Sequence, residues 1–203
     1  MEPQRRPGGR SARVREAVLD ATTAELAEHG YPALTVEAVA QRAGVHKTTV
    51  YRRWRSPEGL VADALDRAAE QSWPIPDTGT LTDDLRTLTE LLRTGFTAPE
   101  SAPVATAFVA AGMHHPEAAA ALRTFYAARH REAAVIIDRA VARGELEPGL
   151  AAVEIIRFAV APLFHRLFIT HEPVTAADAE RAADAAIAVA RLPRNTEKPG
   201  PPR

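Results

Sequence analysis

Between Arg42 and Arg55 the chain carries five basic residues (Arg42, Lys47, Arg52, Arg53, Arg55) and no acid. Thr48, Thr49 and Tyr51 are interleaved with them. Cations and hydroxyl donors at this density suit an anionic, hydrogen-bonding partner. Arg and Lys can pair with phosphate oxygens or with guanine O6 and N7, and a threonine methyl can touch the methyl of thymine. A corner between two helices in an ordinary helical protein is the competing reading. Such a corner would usually mix acids into its outer face.

The elements that must carry these side chains are legible around them. Thr35 is placed as the N-cap of a helix starting at about Val36, with its hydroxyl accepting a free first-turn N–H. Glu37 suits the positive end of that helix's dipole. Gly44 tolerates a left-handed backbone and centres a turn. A second helix then carries Lys47, Thr48, Thr49, Tyr51, Arg52 and Arg53. Val39, Ala40, Ala43, Val45 and Val50 supply the apolar inner side. This is helix-turn-helix patterning, in which the second helix is offered to the DNA major groove.

Upstream, Ser11 to Glu28 is an amphipathic helix ended by Gly30 and kept from resuming by Pro32. Trp54 is the expected plug between the head helices. Ser56-Pro57-Glu58 then gives an N-cap, a proline at the first helical position and a first-turn acid. The helix it starts is expected to reach about Ser72 and to bridge head and body.

The length allows one large domain or two small ones. The 46% hydrophobic fraction is enough for a core. Net charge is −1, but it is unevenly spread. Residues 1–55 hold ten Lys/Arg against six acids, and the remainder fifteen against twenty. A basic head on an acidic body fits a polyphosphate partner at one end. With no cysteine, disulfides, thiolate metal sites and cysteine nucleophiles are excluded. No apolar run is long enough to span a membrane and no signal-peptide core is present, so a cytoplasmic location is expected.

The expected fold class is all-α, with about nine helices. Residues 1–10 form a disordered basic arm, 11–55 the helix-turn-helix domain, 56–192 a helical ligand-binding and dimerisation domain, and 193–203 a disordered tail. Pro74–Gly79 reads as a linker. Thr82 is placed as the cap of the next helix. A shorter helix over 104–111 is expected to stop at Gly112, and a long one to run from Pro116 to Arg143. Residues 150–170 are apolar almost all round, with a kink expected at Pro162. Thr175 and Asp178 resemble a capping box opening an alanine-rich last helix to about 191.

The residues Gly30-Tyr31, Thr35-Val36, Ala43-Gly44-Val45, Thr49-Val50-Tyr51, Trp54, Ser56, Glu58 and Leu60 together resemble the TetR/AcrR family of transcriptional regulators. The resemblance covers about the first 60 residues. It implies a homodimer that reads a two-fold double-stranded DNA operator, usually as a repressor released by a small molecule. By position it assigns phosphate contacts to Thr35 and Tyr51. It assigns base edges or nearby backbone to Lys47, Thr48, Thr49 and Arg52. Two residues depart from the pattern. His46 stands where the family often has Ser, which is expected to weaken the N-cap of the second helix. Pro57 stands where it often has Lys, which removes a phosphate contact.

A regulator of this kind needs a pocket among its body helices. The candidate lining is Phe108, Met113, Phe125, Tyr126, Phe158 and His165, although an aromatic at helical spacing is usually core, and a small hydrophobic effector is expected. Arg123, Arg129 and Arg131 read as a solvated face. The segments at about 150–170 and 175–191 are the expected dimer interface, giving four helices across a two-fold axis. The adjacent His114 and His115, with His130, lack the spacing of a helical zinc pair. No Ser-His-acid elbow and no phosphate-cradling glycine loop is present, so neither an enzyme, a metal nor a cofactor is expected. Two other readings stay open: a helical small-molecule-binding or enzymatic protein with a vestigial DNA head, and a DNA organiser without a ligand.

Overall fold

A computed structural model describes residues 9–192. Residues 1–8 of the expected arm and the tail from 193 lie outside the described residues, whereas Gly9 and Arg10, expected in the arm, begin the first helix. Among those described, the chain is helical with no strand. Its α-helices are α1 (Gly9–His29), α2 (Val36–Arg42), α3 (Lys47–Trp54), α4 (Pro57–Glu70), α5 (Leu81–Thr97), α6 (Ala102–His114), α7 (Pro116–Ala133), α8 (Val135–Ala142), α9 (Ala152–Phe164) and α10 (Ala176–Ala190). A 3₁₀ turn at Tyr31–Ala33 follows α1, and a π-helical stretch at His165–Thr170 follows α9.

The chain divides into two compact units. One comprises residues up to Pro74 together with Thr94–Arg129, and the other comprises Ile75–Arg93 and the residues from His130 onward. In the first, Val18 and Leu26 of α1 pack with Val36, Val39 and Ala40 of α2, Val50 and Trp54 of α3, and Leu60, Val61 and Leu65 of α4. The core of the head does not stop at residue 55: Ala107 and Ala111 of α6 and Ala118 of α7 belong to the same buried cluster.

In the second unit α9 packs lengthwise on α10, where alanines at 179, 182, 183, 186 and 190 are buried. Small side chains let two helices approach closely. Asp84 is fully buried there. It accepts from the Thr78 N–H at 2.6 Å and the Thr78 hydroxyl at 2.8 Å, and Arg143 donates to it at 3.4 Å. A buried carboxylate held in this way is satisfied rather than available for chemistry.

Several helix ends follow the sequence and several correct it. Thr175 and Asp178 form the expected capping box, and its bonds hold the Asp178 carboxyl at about 2. The cap of α5 is Thr80, not Thr82: its hydroxyl accepts from the Asp83 N–H at 3.1 Å. Gly112 does not stop α6, which runs to His114. Its missing Cβ instead admits Leu122 of α7, whose Cδ2 would lie 3.0 Å from a Cβ there. The single helix expected over 116–143 is broken at Ala134, although Ala134 keeps helical angles and its N–H still bonds His130 O. Glycine at 144 then closes α8, with φ of 77°. Pro162 has no N–H to offer the Phe158 carbonyl, and α9 passes into π geometry three residues later.

Two polar side chains of the body have structural partners. Arg166 pairs with Glu172 and, at 3.3 Å, with Asp178, so it ties the π-helical stretch to the start of α10. Arg129 does not lie on a solvated face. It donates to the carbonyls of Ala68 at 2.6 Å and Gln71 at 2.8 Å, closing the C-terminal end of α4. It also sits 5.8 Å from the Trp73 ring and 5.3 Å from the Phe125 ring.

Candidate nucleic-acid interface

The turn between α2 and α3 is built by Gly44, with φ of 65°. The Gly44 N–H bonds Gln41 O at 3.2 Å and the Val45 N–H bonds Ala40 O at 3.0 Å. This pair of bonds is the Schellman closure, which satisfies the last carbonyls of α2 and turns the chain sharply. At the other end of α2 the Thr35 hydroxyl accepts from the Ala38 N–H at 3.1 Å. Val50 and Trp54 anchor the inner side of α3 in the core. The outer side is thereby fixed towards solvent.

The six expected DNA-contacting residues lie on this one motif. Thr35, Lys47, Thr48, Tyr51 and Arg52 are exposed and Thr49 is half-buried. The side chains of Lys47, Arg52 and Arg55 make no ion pair or hydrogen bond among the described residues. Arg53 lies 5.1 Å from the Trp54 ring. Arg42, one of the five cations that drew attention to this stretch, is turned away. It donates to Glu25 at 2.6 Å and Glu28 at 2.7 Å on α1, and its charge is neutralised within the head.

His46 is the N-cap residue of α3. Its Nδ1 accepts from the Thr48 N–H at 3.4 Å and lies 2.8 Å from the Thr48 hydroxyl. The imidazole occupies the N-cap of α3, and its long bond is that of a weaker cap than a serine hydroxyl at ordinary distance. Pro57 stands at the first position of α4, and the Ser56 hydroxyl accepts from the Gly59 N–H at 3.3 Å.

A groove of about 720 Å³ runs between the start of α1 and α3. Ser11 and Val14 line one side, and His46, Thr49, Arg52 and Arg53 line the other. Composition had marked the amino-terminal region as basic, but not that Ser11 stands beside the recognition helix.

Asp63 of α4 holds α3 in place, and spacing alone did not reveal it. Trp54 Nε1 donates to it at 2.8 Å and Arg15 of α1 donates at 2.5 Å. Burial pushes the Asp63 carboxyl up, but the bonds from Arg15 and Trp54 outweigh it and the net shift is downward. The link between α3 and α4 is tight. Arg55 has φ of 62° and ψ of −38°, and the Ser56 N–H bonds Trp54 O at 2.7 Å. This is a γ-turn of the rare, strained hand. Gly59 lies against the same carbonyl: a Cβ on it would stand 2.2 Å from Trp54 O.

Next to this joint, Glu58 accepts from the Tyr31 hydroxyl at 3.2 Å and lies 3.3 Å from His115 Nδ1. Burial, with Glu58 next, pushes the Tyr31 phenol up to about 12. His115 is thus engaged in this contact. Among the described residues no group of three or more His, Cys, Asp or Glu could hold a metal ion.

The expected effector-lining residues are divided between the two units. Phe108, Met113, Phe125 and Tyr126 belong to the first unit, Phe158 and His165 to the second. Phe108 and Phe125 are half-buried against the core, and the Phe125 and Tyr126 rings meet edge-on at 5.1 Å. Burial raises the Tyr126 phenol. Met113 is 71% exposed and Phe158 50% exposed, and His165 is exposed as well. None of those three is enclosed within its own unit.

A helical chain whose cationic second helix is presented outward by a Gly-turned helix pair is a helix-turn-helix DNA-binding protein. Comparison with known proteins agrees. Residues 18–64 match the model of bacterial regulatory proteins of the tetR family, and residues 75–186 match the tetracyclin repressor-like C-terminal domain. The chain is 34% identical over 165 residues to the HTH-type transcriptional regulator AqdR of Rhodococcus erythropolis, covering 80% of this chain and 77% of that protein. It is 32% identical over 161 residues to the uncharacterized HTH-type regulator YdeS of Bacillus subtilis, covering 78% and 80%. Among solved structures, the TetR family transcription regulator SCO0332 superposes with a TM-score of 0.69 at 29% identity, covering 86% of this chain and 97% of that one. The chain belongs to the TetR family of HTH-type transcriptional regulators: it is a DNA-binding regulator and not an enzyme. Among the described residues no helix is long and apolar enough to cross a membrane.

Proposed function

We propose that this regulator acts in the cytoplasm as a homodimer that represses genes from a two-fold operator and is released by a small apolar effector. The observation that carries the DNA-reading half is the outward face of α3. Lys47 and Arg52 are exposed and uncommitted among the described residues, while Val50 and Trp54 on the same helix are buried. Thr35 and Tyr51 contact backbone phosphates in this reading. Lys47, Thr48, Thr49 and Arg52 meet base edges or the adjacent backbone.

The dimer reading is supported by the outer faces of α9 and α10. On the side of α9 and its π-helical extension, Phe158, Ala161, Pro162, His165 and Ile169 fall at helical spacing and are exposed, with Ile169 62% exposed. Ala177, Ala185, Ala188 and Leu192 are exposed on or just after α10. Large apolar side chains at this exposure favour a partner surface, and a two-fold pairing covers both copies at once. Phe158 and His165 thus suit the interface better than the effector pocket. Phe108, Phe125 and Tyr126 remain the proposed effector contacts.

The test is duplex binding by Tyr51→Ala and Arg52→Ala, using an operator selected from random DNA. Both variants should lose operator binding while circular dichroism and molecular mass stay those of the parent. Unchanged affinity in both would refute the assignment of α3 as the reading helix.

A further inference from the structure

The Tyr51 hydroxyl reaches from α3 back to α2 and donates to Glu37 Oε1 at 2.9 Å. Glu37 is the only acid between Val36 and Arg55. Both residues are exposed, and Glu37 stands two positions after Thr35. A first-turn acid complements the helix dipole wherever its side chain points. That role does not require the carboxylate to bond the tyrosine of the next helix.

The chemistry of the contact is restrictive. A phenol has one O–H and donates one hydrogen bond, whereas phosphate oxygens and carboxylates only accept. With its proton directed at Glu37, Tyr51 has nothing to donate to a DNA phosphate. The carboxylate is also an anion placed where another anion must approach.

We propose that Glu37 is a latch on the recognition helix: it holds the Tyr51 hydroxyl in the DNA-free protein and must release it before the phenol can bond an operator phosphate. This rests on the reading of Tyr51 as a phosphate contact. A phenol is protonated at neutral pH and a carboxylate only accepts, so Tyr51 is the donor, and the Glu37 bond raises its pKa further. Because phosphates carry no sequence information, the latch lowers affinity for every duplex alike and leaves discrimination between sequences unchanged.

The experiment measures anisotropy of two labelled duplexes at one salt concentration: the operator selected by the wild-type protein, and an unrelated sequence of equal length. The proteins are wild type, Glu37→Ala, Tyr51→Phe and the double variant, each checked by circular dichroism. Glu37→Ala is expected to tighten both duplexes by about tenfold, which corresponds to about 1.4 kcal/mol. Adding Tyr51→Phe should remove most of that gain, because the freed hydroxyl is its source. A gain that persists in full in the Tyr51→Phe background would overturn the latch, since Glu37 would then act by charge alone. Weaker or unchanged binding by Glu37→Ala would overturn it too. If Tyr51→Ala and Arg52→Ala bind like wild type, the failure lies in the reading of α3, and the latch falls with it.

Discussion

Gly59→Ala tests the joint between the reading helix and α4. The added Cβ would stand 2.2 Å from Trp54 O and 3.2 Å from Trp54 C, and must retreat to at least 3.0 Å from the oxygen. The obstacle is backbone, so no rotamer change relieves it. Moving that carbonyl loosens its 2.7 Å bond from the Ser56 N–H and drags Trp54 away from Asp63. Overpacking of this kind costs about 1–3 kcal/mol. Weakening the hydrogen bond adds about 1 kcal/mol, and the better helix propensity of alanine returns up to about 1 kcal/mol. The net loss should be about 2 kcal/mol, a fall in Tm of roughly 4–8 °C for a chain of this size. The assay is thermal unfolding followed by circular dichroism, with Gly95→Ala alongside. Gly95 lies within α5 and a Cβ on it meets nothing within 4 Å. That variant should gain roughly 0.5–1 kcal/mol. If Gly59→Ala were as stable as Gly95→Ala, the account of the joint would be wrong.

Three further outcomes follow from the same geometry. Arg55→Gly should raise stability by about 1 kcal/mol in urea unfolding, because glycine relieves the left-handed strain of the γ-turn. Asp63→Asn should cost about 1–3 kcal/mol at pH 7. Since Asp63 has a depressed pKa in the folded chain, its contribution is present above the unfolded carboxyl range and is lost as pH falls through the folded value. The gap between parent and variant should therefore close at strongly acidic pH in equilibrium unfolding. Phe158→Glu should shift the protein towards monomer in sedimentation velocity by placing a charge in the proposed two-fold interface.

The parts of the fold readable from sequence were those set by neighbours in the chain. Thr35, Ser56 and Thr175 cap helices by accepting from N–H groups three residues on, and Gly44 and Gly144 close helices on carbonyls three to five residues back. Signals that depend on distant packing misled or were silent. Gly112 looked like a stop and is a notch for Leu122. Arg42 and Arg129 looked like surface cations, yet one is neutralised by α1 and the other closes α4. The site divides in the same way. The outward face of α3 follows from helical periodicity. The anchoring of Trp54 by Asp63 and the bond from Tyr51 to Glu37 link residues 9 and 14 positions apart, at spacings no local rule singles out. The effector residues were the least legible, because an aromatic at helical spacing reads the same in a core, a pocket or an interface.

Selection of binding sites from a random double-stranded DNA pool tests the central claim most directly. The account predicts enrichment of two inverted half-sites, one for each α3 of a two-fold dimer. The enriched duplex should lose its protein on Arg52→Ala. A pool with no enriched sequence, or an enriched site that Arg52→Ala and Tyr51→Ala bind as tightly as the parent, would contradict it.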